Sequence, residues 1–277
     1  MKATCKIFAA LLVSSAWLPA QDAQIEQKFK DELENKVFLL RDFASDKEIQ
    51  VKADGTLQQA VHRGIWPLAY MEVAHVTTEK KKVLLEGPRV GLRYDEAKKK
   101  LVSIRTKEDV AISVSGAFNG SPDEIVQRVK DAVFMPEGSQ LGLLPDYWRE
   151  YYEGSQLVER LGFPTGPSMA PPLSVAIDGE QWFRCSGGGL KPPKAQLSPS
   201  PEYNDVARKL KFQGRNIFVL LISKSGLVDR VLVSRPLGLG LDENSINTLK
   251  TWKFNPGTKD GQPVNCVVNV ETNFNLY

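Results

Sequence analysis

Two histidines, His62 and His75, are the first side chains to test for chemistry, because imidazole titrates near neutral pH and ligates metals. Glu72 stands three residues before His75, and on a strand that odd spacing sends the two side chains to opposite faces. No other ligand-type residue lies at a metal-binding spacing from either histidine, so no metal or other cofactor is expected. The acidic neighbours Glu108-Asp109 and Asp123-Glu124 diverge on a strand or at a helix start, which argues against an acid–base pair. Gly187-Gly188-Gly189 has the composition of an oxyanion loop, but no serine–histidine arrangement accompanies it. These patterns point away from an enzyme.

Backbone amides are the chemistry this chain offers. Near its end Val264, Cys266, Val268, Val270, Thr272, Phe274 and Leu276 share one parity, while Asn265, Val267, Asn269, Glu271, Asn273, Asn275 and Tyr277 share the other. Such alternation predicts a strand with one face packed and the other turned to water or a partner. A terminal strand of this length is expected at a sheet edge, where unpaired N–H and C=O groups can take an extended peptide. The same pattern also suits a solvated edge, kept soluble by its asparagines, or an edge paired with a second copy.

The elements that must position this strand precede it. Ser200 has the side chain of an N-cap and Pro201 suits the first helical position. Tyr203, Val206, Ala207 and Leu210 then follow at helical spacing, and Gly214 closes the helix. Ile217 to Ile222 is apolar throughout and predicts a strand covered on both faces. Lys224-Ser225-Gly226 predicts a hairpin loop, with Leu227 to Val233 as the return strand. Beyond Gly238-Leu239-Gly240, Asp242 is the expected N-cap of a second helix, whose apolar residues are Ile246, Leu249 and Trp252. Asn255-Pro256-Gly257 ends it.

That order of elements, with Pro201-Glu202-Tyr203, Phe212-Gln213-Gly214, Gly238 to Asp242 and Trp252 to Gly257 at the joints, resembles the C-terminal domain of TonB over about residues 192–277. The resemblance implies an α+β fold in which two helices lie on a small antiparallel sheet. It implies that a partner's peptide pairs beside the last strand and touches the stretch before the first helix. Carried over by position, those surfaces are Ser200, Pro201 and Tyr203, with Val264, Asn265, Cys266, Val267, Val268, Asn269, Val270, Glu271, Thr272, Asn273 and Phe274. The implied partner is a peptide of an outer-membrane TonB-dependent transporter. Asn204 stands where that family usually has a second proline, and Ser200 where transporter-coupling members carry glutamine.

Lys2 and Lys6 precede an apolar run, Ile7 to Leu18, and Leu18-Pro19-Ala20 precedes Gln21, the outline of a secretory signal peptide over residues 1–20. A helix of about twelve residues reaches only about 18 Å, short of the roughly 30 Å hydrocarbon core. The expectation is an exported, periplasmic protein; retention of the segment would make it an inner-membrane anchor. TonB itself keeps such an anchor and draws on a proton-driven complex, so the expected role here is peptide binding without energy transduction. The alternative is a periplasmic scaffold that uses the same edge for a homodimer or another envelope partner. Cys185 and Cys266 remain after the leader, and in an exported protein they can pair or stay as two buried thiols.

The 277 residues, 42% hydrophobic and 25% charged, suit two globular domains. A net charge of +3 falls to near neutral without Lys2 and Lys6, so nucleic acid is not an expected partner. Residues 21–185 predict a β-rich domain opened by a helix with Ile25, Phe29 and Leu33 on one face. Its runs at 47–51, 68–76, 82–86, 90–94, 101–104 and 110–114 predict an antiparallel meander, as a sandwich or partial barrel. Ser121-Pro122-Asp123-Glu124 predicts a helix start. Tyr147, Trp148, Tyr151 and Tyr152 cluster on a second short helix, as core or as the lining of a ligand site. Residues 186–200, rich in glycine and proline, are the expected linker to a C-terminal domain at 201–277.

Overall fold

The computed structural model describes residues 17–79, 81–116, 118–136, 138–153, 174–185 and 189–276. Most of the expected signal peptide, residues 1–16, lies outside them. Among the described residues no helix is long and apolar enough to cross a membrane. The chain divides into two compact units. One comprises Met1–His62, Met71–Pro88 and Glu108–Met135; the other comprises Arg63–Tyr70, Arg89–Lys107 and Pro136–Tyr277.

The first unit is built on a six-stranded sheet. The strands of this sheet are β1 (Lys36–Leu39), β2 (Glu48–Lys52), β3 (Tyr70–Val73), β4 (His75–Glu79), β5 (Lys82–Asp95) and β6 (Lys100–Ser115), of which Tyr70 and the parts of β5 and β6 within Arg89–Lys107 belong to the other unit. They run in the order β1-β3-β5-β6-β2, with β4 also on β5. Helices α1 (Trp17–Leu33) and α2 (Pro122–Val133) pack with it: Phe29, Leu33, Met71, Val73, Ile112, Ile125 and Val129 form one buried cluster. Ser121 caps α2 as the sequence predicts, in a reciprocal capping box with Glu124. The meander expectation needs correction, because β2 pairs with β6 in parallel, Glu48 opposite Ala111. The runs at 82–86 and 90–94 are one strand, as are those at 101–104 and 110–114. Gly87-Pro88-Arg89 is carried within β5, and the charged residues that interrupt the later pair in sequence lie mostly at exposed positions of the long strand β6.

The second unit holds β7 (Ser174–Ile177), β8 (Glu180–Arg184), β9 (Leu190–Lys191), β10 (Lys194–Leu197), β11 (Gly214–Ile222), β12 (Val228–Arg235), β13 (Lys253–Asn255), β14 (Thr258–Lys259), β15 (Gln262–Pro263) and β16 (Asn265–Phe274). Its helices are α3 (Asp146–Tyr152), α4 (Asp205–Lys209) and α5 (Leu241–Leu249). The main sheet runs β12-β11-β16-β8-β7. Residues 186–200, expected as a linker, instead contain β9, paired with β14, and β10, paired with β13; residues 186–188 of that stretch lie outside the described residues. Pro192 and Pro193 hold this backbone extended, which readies it for pairing as well as for spanning a gap.

Both faces of the main sheet are packed. On the even parity of β11, Phe218 and Leu220 are wholly buried, and α5 lies there with Ile246 and Leu249 also wholly buried. On the odd parity Val219 and Leu221 cluster with Leu232, Val267, Ile177 and Trp182. The apolar run from Ile217 to Ile222 thus has the two-sided burial its composition predicts.

Candidate functional site

The expected site centres on β16, which is not an edge strand along its whole length. On one side it pairs antiparallel with β11 throughout, from Gly214 opposite Phe274 to Ile222 opposite Cys266. On the other side Asn265, Cys266 and Val267 pair in parallel with Trp182, Phe183 and Arg184 of β8. From Val268 to Phe274 no described residue pairs on that side. The open ladder is therefore shorter than the sequence suggests. Its exposed side chains are Asn269, Glu271 and Asn273, while Val268 and Val270 are half-buried on the opposite parity.

Four residues expected at the edge have other duties. The Val264 amide donates to the Gly257 carbonyl at 2.9 Å. Asn265 is buried, accepts from the Lys224 amide at 2.9 Å and donates to Glu180 at 2.8 Å, so it ties the loop after β11 and the start of β8 to its own strand. Cys266 is bonded to Cys185, with Cα atoms 5.7 Å apart. Val267 packs in the odd-face cluster, against the expectation that its parity faces outward.

The strand before them is placed by a hairpin that the sequence analysis missed. β7 and β8 pair antiparallel with Ile177 opposite Glu180, leaving Asp178 and Gly179 as a two-residue loop. Both have positive φ, 51° and 81°, as a type I′ turn demands. Asp-Gly between Val175-Ala176-Ile177 and Trp182-Phe183 was the available signal.

The pre-helix stretch is extended, and the first helix starts later than predicted. Asn204 is the N-cap: its Oδ1 accepts from the Ala207 amide at 2.8 Å, and its Nδ2 donates to the Leu239 carbonyl at 2.6 Å. Asn204 does both with two separate atoms of one amide, Oδ1 accepting and Nδ2 donating, on a side chain longer than that of Ser200. Lys211 (φ 52°), and not Gly214, closes the helix, with the Phe212 amide donating to the Ala207 carbonyl at 2.9 Å. Side chains of the second helix region pin the stretch. Trp252 Nε1 donates to the Pro199 carbonyl at 2.9 Å, and Asn244 Nδ2 to the Glu202 carbonyl at 2.8 Å. Trp252 therefore lies beyond α5, which ends at Leu249, and does not space that helix on the sheet.

Tyr203 joins the two halves of the expected site. Its ring meets Phe274 edge-on, centroids 5.3 Å apart, and its hydroxyl donates to the Phe212 carbonyl at 2.9 Å. Ser200 is exposed and Pro201 half-buried just ahead of it. The structure thus brings Tyr203 to the Phe274 end of the open ladder. The Val264 end is taken up by β8 and the disulfide.

Behind the ladder lies a polar network that periodicity could not reveal. Asn216 of β11 donates to Asp242 at 2.9 Å and to Ser245 at 3.1 Å, and Ser245 bonds Thr272 of β16 at 2.9 Å. Thr272 also donates to Asn216. Asp242 is wholly buried, not the expected N-cap; Gly240 (φ 76°) holds that position. The Asp242 carboxylate turns back to accept from the Leu237 and Gly238 amides, at 2.9 and 2.7 Å. Burial still pushes its carboxyl above the ordinary range. The network rigidifies the strand that carries the ladder, since each buried polar atom in it finds a partner.

Within the aromatic cluster Trp148 is core, Tyr147 and Tyr151 are half-buried and Tyr152 is exposed. Trp148 of α3 is fully buried between Trp66, at 5.3 Å, and Tyr151, at 5.7 Å. Among the described residues no group of three or more His, Cys, Asp or Glu side chains could hold a metal ion.

Comparison with known proteins addresses this same region. Residues 199–276 match the family model described as Gram-negative bacterial TonB protein C-terminal. Protein TonB of Vibrio cholerae serotype O1 is 28% identical over 87 residues, 31% of this chain and 36% of that protein. The chain thus spans little more than a third of that relative's length. The solution structure of the Pseudomonas aeruginosa TonB C-terminal domain shares 18% identity, covering 32% of this chain and 89% of that one at a TM-score of 0.26. By sequence, residues 199–276 are similar to the C-terminal segment of TonB proteins.

Proposed function

We propose that this protein serves TonB-type transport at the outer membrane, from the periplasm, by adding a transporter's extended peptide beside Val268 to Phe274. The observation that carries the reading is the half-open ladder: β16 is fully paired with β11, yet beyond Val267 its far side meets no described strand. Alternate residues of a strand direct their N–H and C=O groups to the same neighbour, so about half of this stretch offers bonds outward. At about 0.5–1.5 kcal/mol net for each, the ladder supplies several kcal/mol before the cost of ordering the peptide. Tyr203, fixed against Phe274, continues the surface to the pre-helix stretch. Strand addition needs no cofactor and no reacting group, in keeping with a non-enzymatic binding role.

The test is binding of a synthetic peptide carrying the periplasm-facing segment of a TonB-dependent transporter, measured by calorimetry. Two further peptides carry backbone N-methyl groups at alternate positions, one at odd and one at even residues. Strand addition predicts saturable binding that one methylated set abolishes and the other keeps, because only one parity donates to the ladder. Equal binding of both methylated sets, or none by the parent peptide, overturns the proposal.

A further inference from the structure

Glu243, in the first turn of α5, is a buried carboxyl only half provided for. One oxygen, Oε1, accepts from the indole Nε1 of Trp148 at 2.7 Å, and the other, Oε2, has no hydrogen-bond partner. Its neighbour Asp242 has three donors, from Asn216, Leu237 and Gly238. Two adjacent buried carboxyls with donors shared so unequally do not ionise alike, and the poorly served one holds a proton longer.

We propose that Glu243 is a proton-operated latch: neutral, it is accommodated beneath docked α3, whereas the buried charge formed on ionisation is relieved by lifting α3 so that water reaches the carboxylate, a drive that the Trp148 bond opposes only in part. The groups around it leave the negative charge uncompensated. From its own helix comes Asp242, also acidic. From α3 come Tyr147 and Tyr151, with Lys250 held 6.0 Å from the centroid of the Tyr147 ring. The β12 arginines are engaged elsewhere, Arg230 by Asp178 at 2.8 Å and Arg235 by Glu96 at 2.9 Å. Burial first, and the Asp242 carboxylate second, push the Glu243 carboxyl up to about 7, against the pull of the Trp148 bond. The latch thus changes state near neutrality. Its lever is α3, which carries Trp148, Tyr147, Tyr151 and Tyr152 on less than two turns of helix.

Amide hydrogen exchange across α3 in the full chain, corrected for intrinsic rates, tests this. Opening should become about tenfold more favourable with each pH unit between the ordinary glutamate range and pH 7, then level off. The indole N–H resonance of Trp148 should titrate with a midpoint near 7 in the docked protein. In E243Q both effects disappear. Exchange in α3 that is independent of pH, or an E243Q profile identical to wild type, overturns the latch. Should E243Q fail to fold, W148F supplies the second arm. Loss of the indole donor raises the carboxyl further, so the plateau must move to higher pH, and an unmoved plateau refutes the proposal.

Discussion

Replacing both Cys185 and Cys266 by alanine tests whether the hairpin β7–β8 is held on β16 by its own pairing or by the covalent bond. The hairpin meets β16 at only three registered positions, Trp182, Phe183 and Arg184, whereas β11 meets it along its whole length. The bridge closes a sequence separation of 81 residues. Chain-entropy reasoning for a loop of that length gives about 4 to 5 kcal/mol of stabilisation, through restriction of the unfolded chain. Both sulfurs are buried, Cys266 wholly, so the substitution also removes packing and the figure is not an overestimate on that account. Urea unfolding of oxidised wild type and of the double variant measures the loss, and hydrogen exchange locates it. Exchange should rise over Glu180–Arg184 and at Asn265 to Val267, while the pairing of β11 with Val268 to Phe274 stays protected. If the peptide binds as proposed, release of β8 lengthens the open ladder. Affinity then rises about tenfold, the equivalent of one or two further ladder hydrogen bonds. A stability loss under about 1 kcal/mol, or equal exchange at β8 in the two proteins, would refute this account of the bridge.

Three further outcomes are expected. The raised Glu243 carboxyl binds its proton more tightly in the folded than in the unfolded chain, so its contribution is full below about pH 4.5 and is lost as pH rises through 7. About 3 kcal/mol is at stake. Urea midpoints for wild type should fall across that window relative to E243Q, and parallel profiles would contradict the assignment. Gly257→Ala should destabilise by about 1–3 kcal/mol in thermal or urea unfolding. Its Cβ would lie 2.2 Å from Cys266 Sγ and 2.9 Å from the Lys191 carbonyl oxygen. A wild-type midpoint would show that this junction is looser than the structure says. Lys211→Gly should stabilise by up to about 1 kcal/mol, since it relieves a left-handed residue at the end of α4 at some cost in unfolded-chain entropy. A lower melting temperature would count against that reading.

Local patterns carried much of the second unit because they reflect physics that acts over a few residues. The even parity of β16, the two-sided apolar run of β11 and the turn at Gly226 (φ 81°) all stand where spacing places them. Helix boundaries were less legible. Ser200-Pro201 has the composition of a start, yet Asn204 has both an acceptor for Ala207 and a donor for Leu239, thirty-five residues away. Asp242 has the composition of a cap, yet it serves amides of the preceding turn and Asn216 of a strand. In each case a distant partner outweighed a local preference worth about 1 kcal/mol.

The candidate site divides along the same line. Alternation by itself determined that residues near 264–276 form a strand, and that one parity of it is packed, because side-chain direction repeats every two residues wherever a strand forms. Which stretch of that strand remains open was decided only in three dimensions. A hairpin eighty residues upstream, the Cys185 bridge and the Asn265 hydrogen bonds close the ladder up to Val267. Strand pairing joins backbone groups that every residue carries, so the partner of a strand leaves no mark on the strand's own sequence.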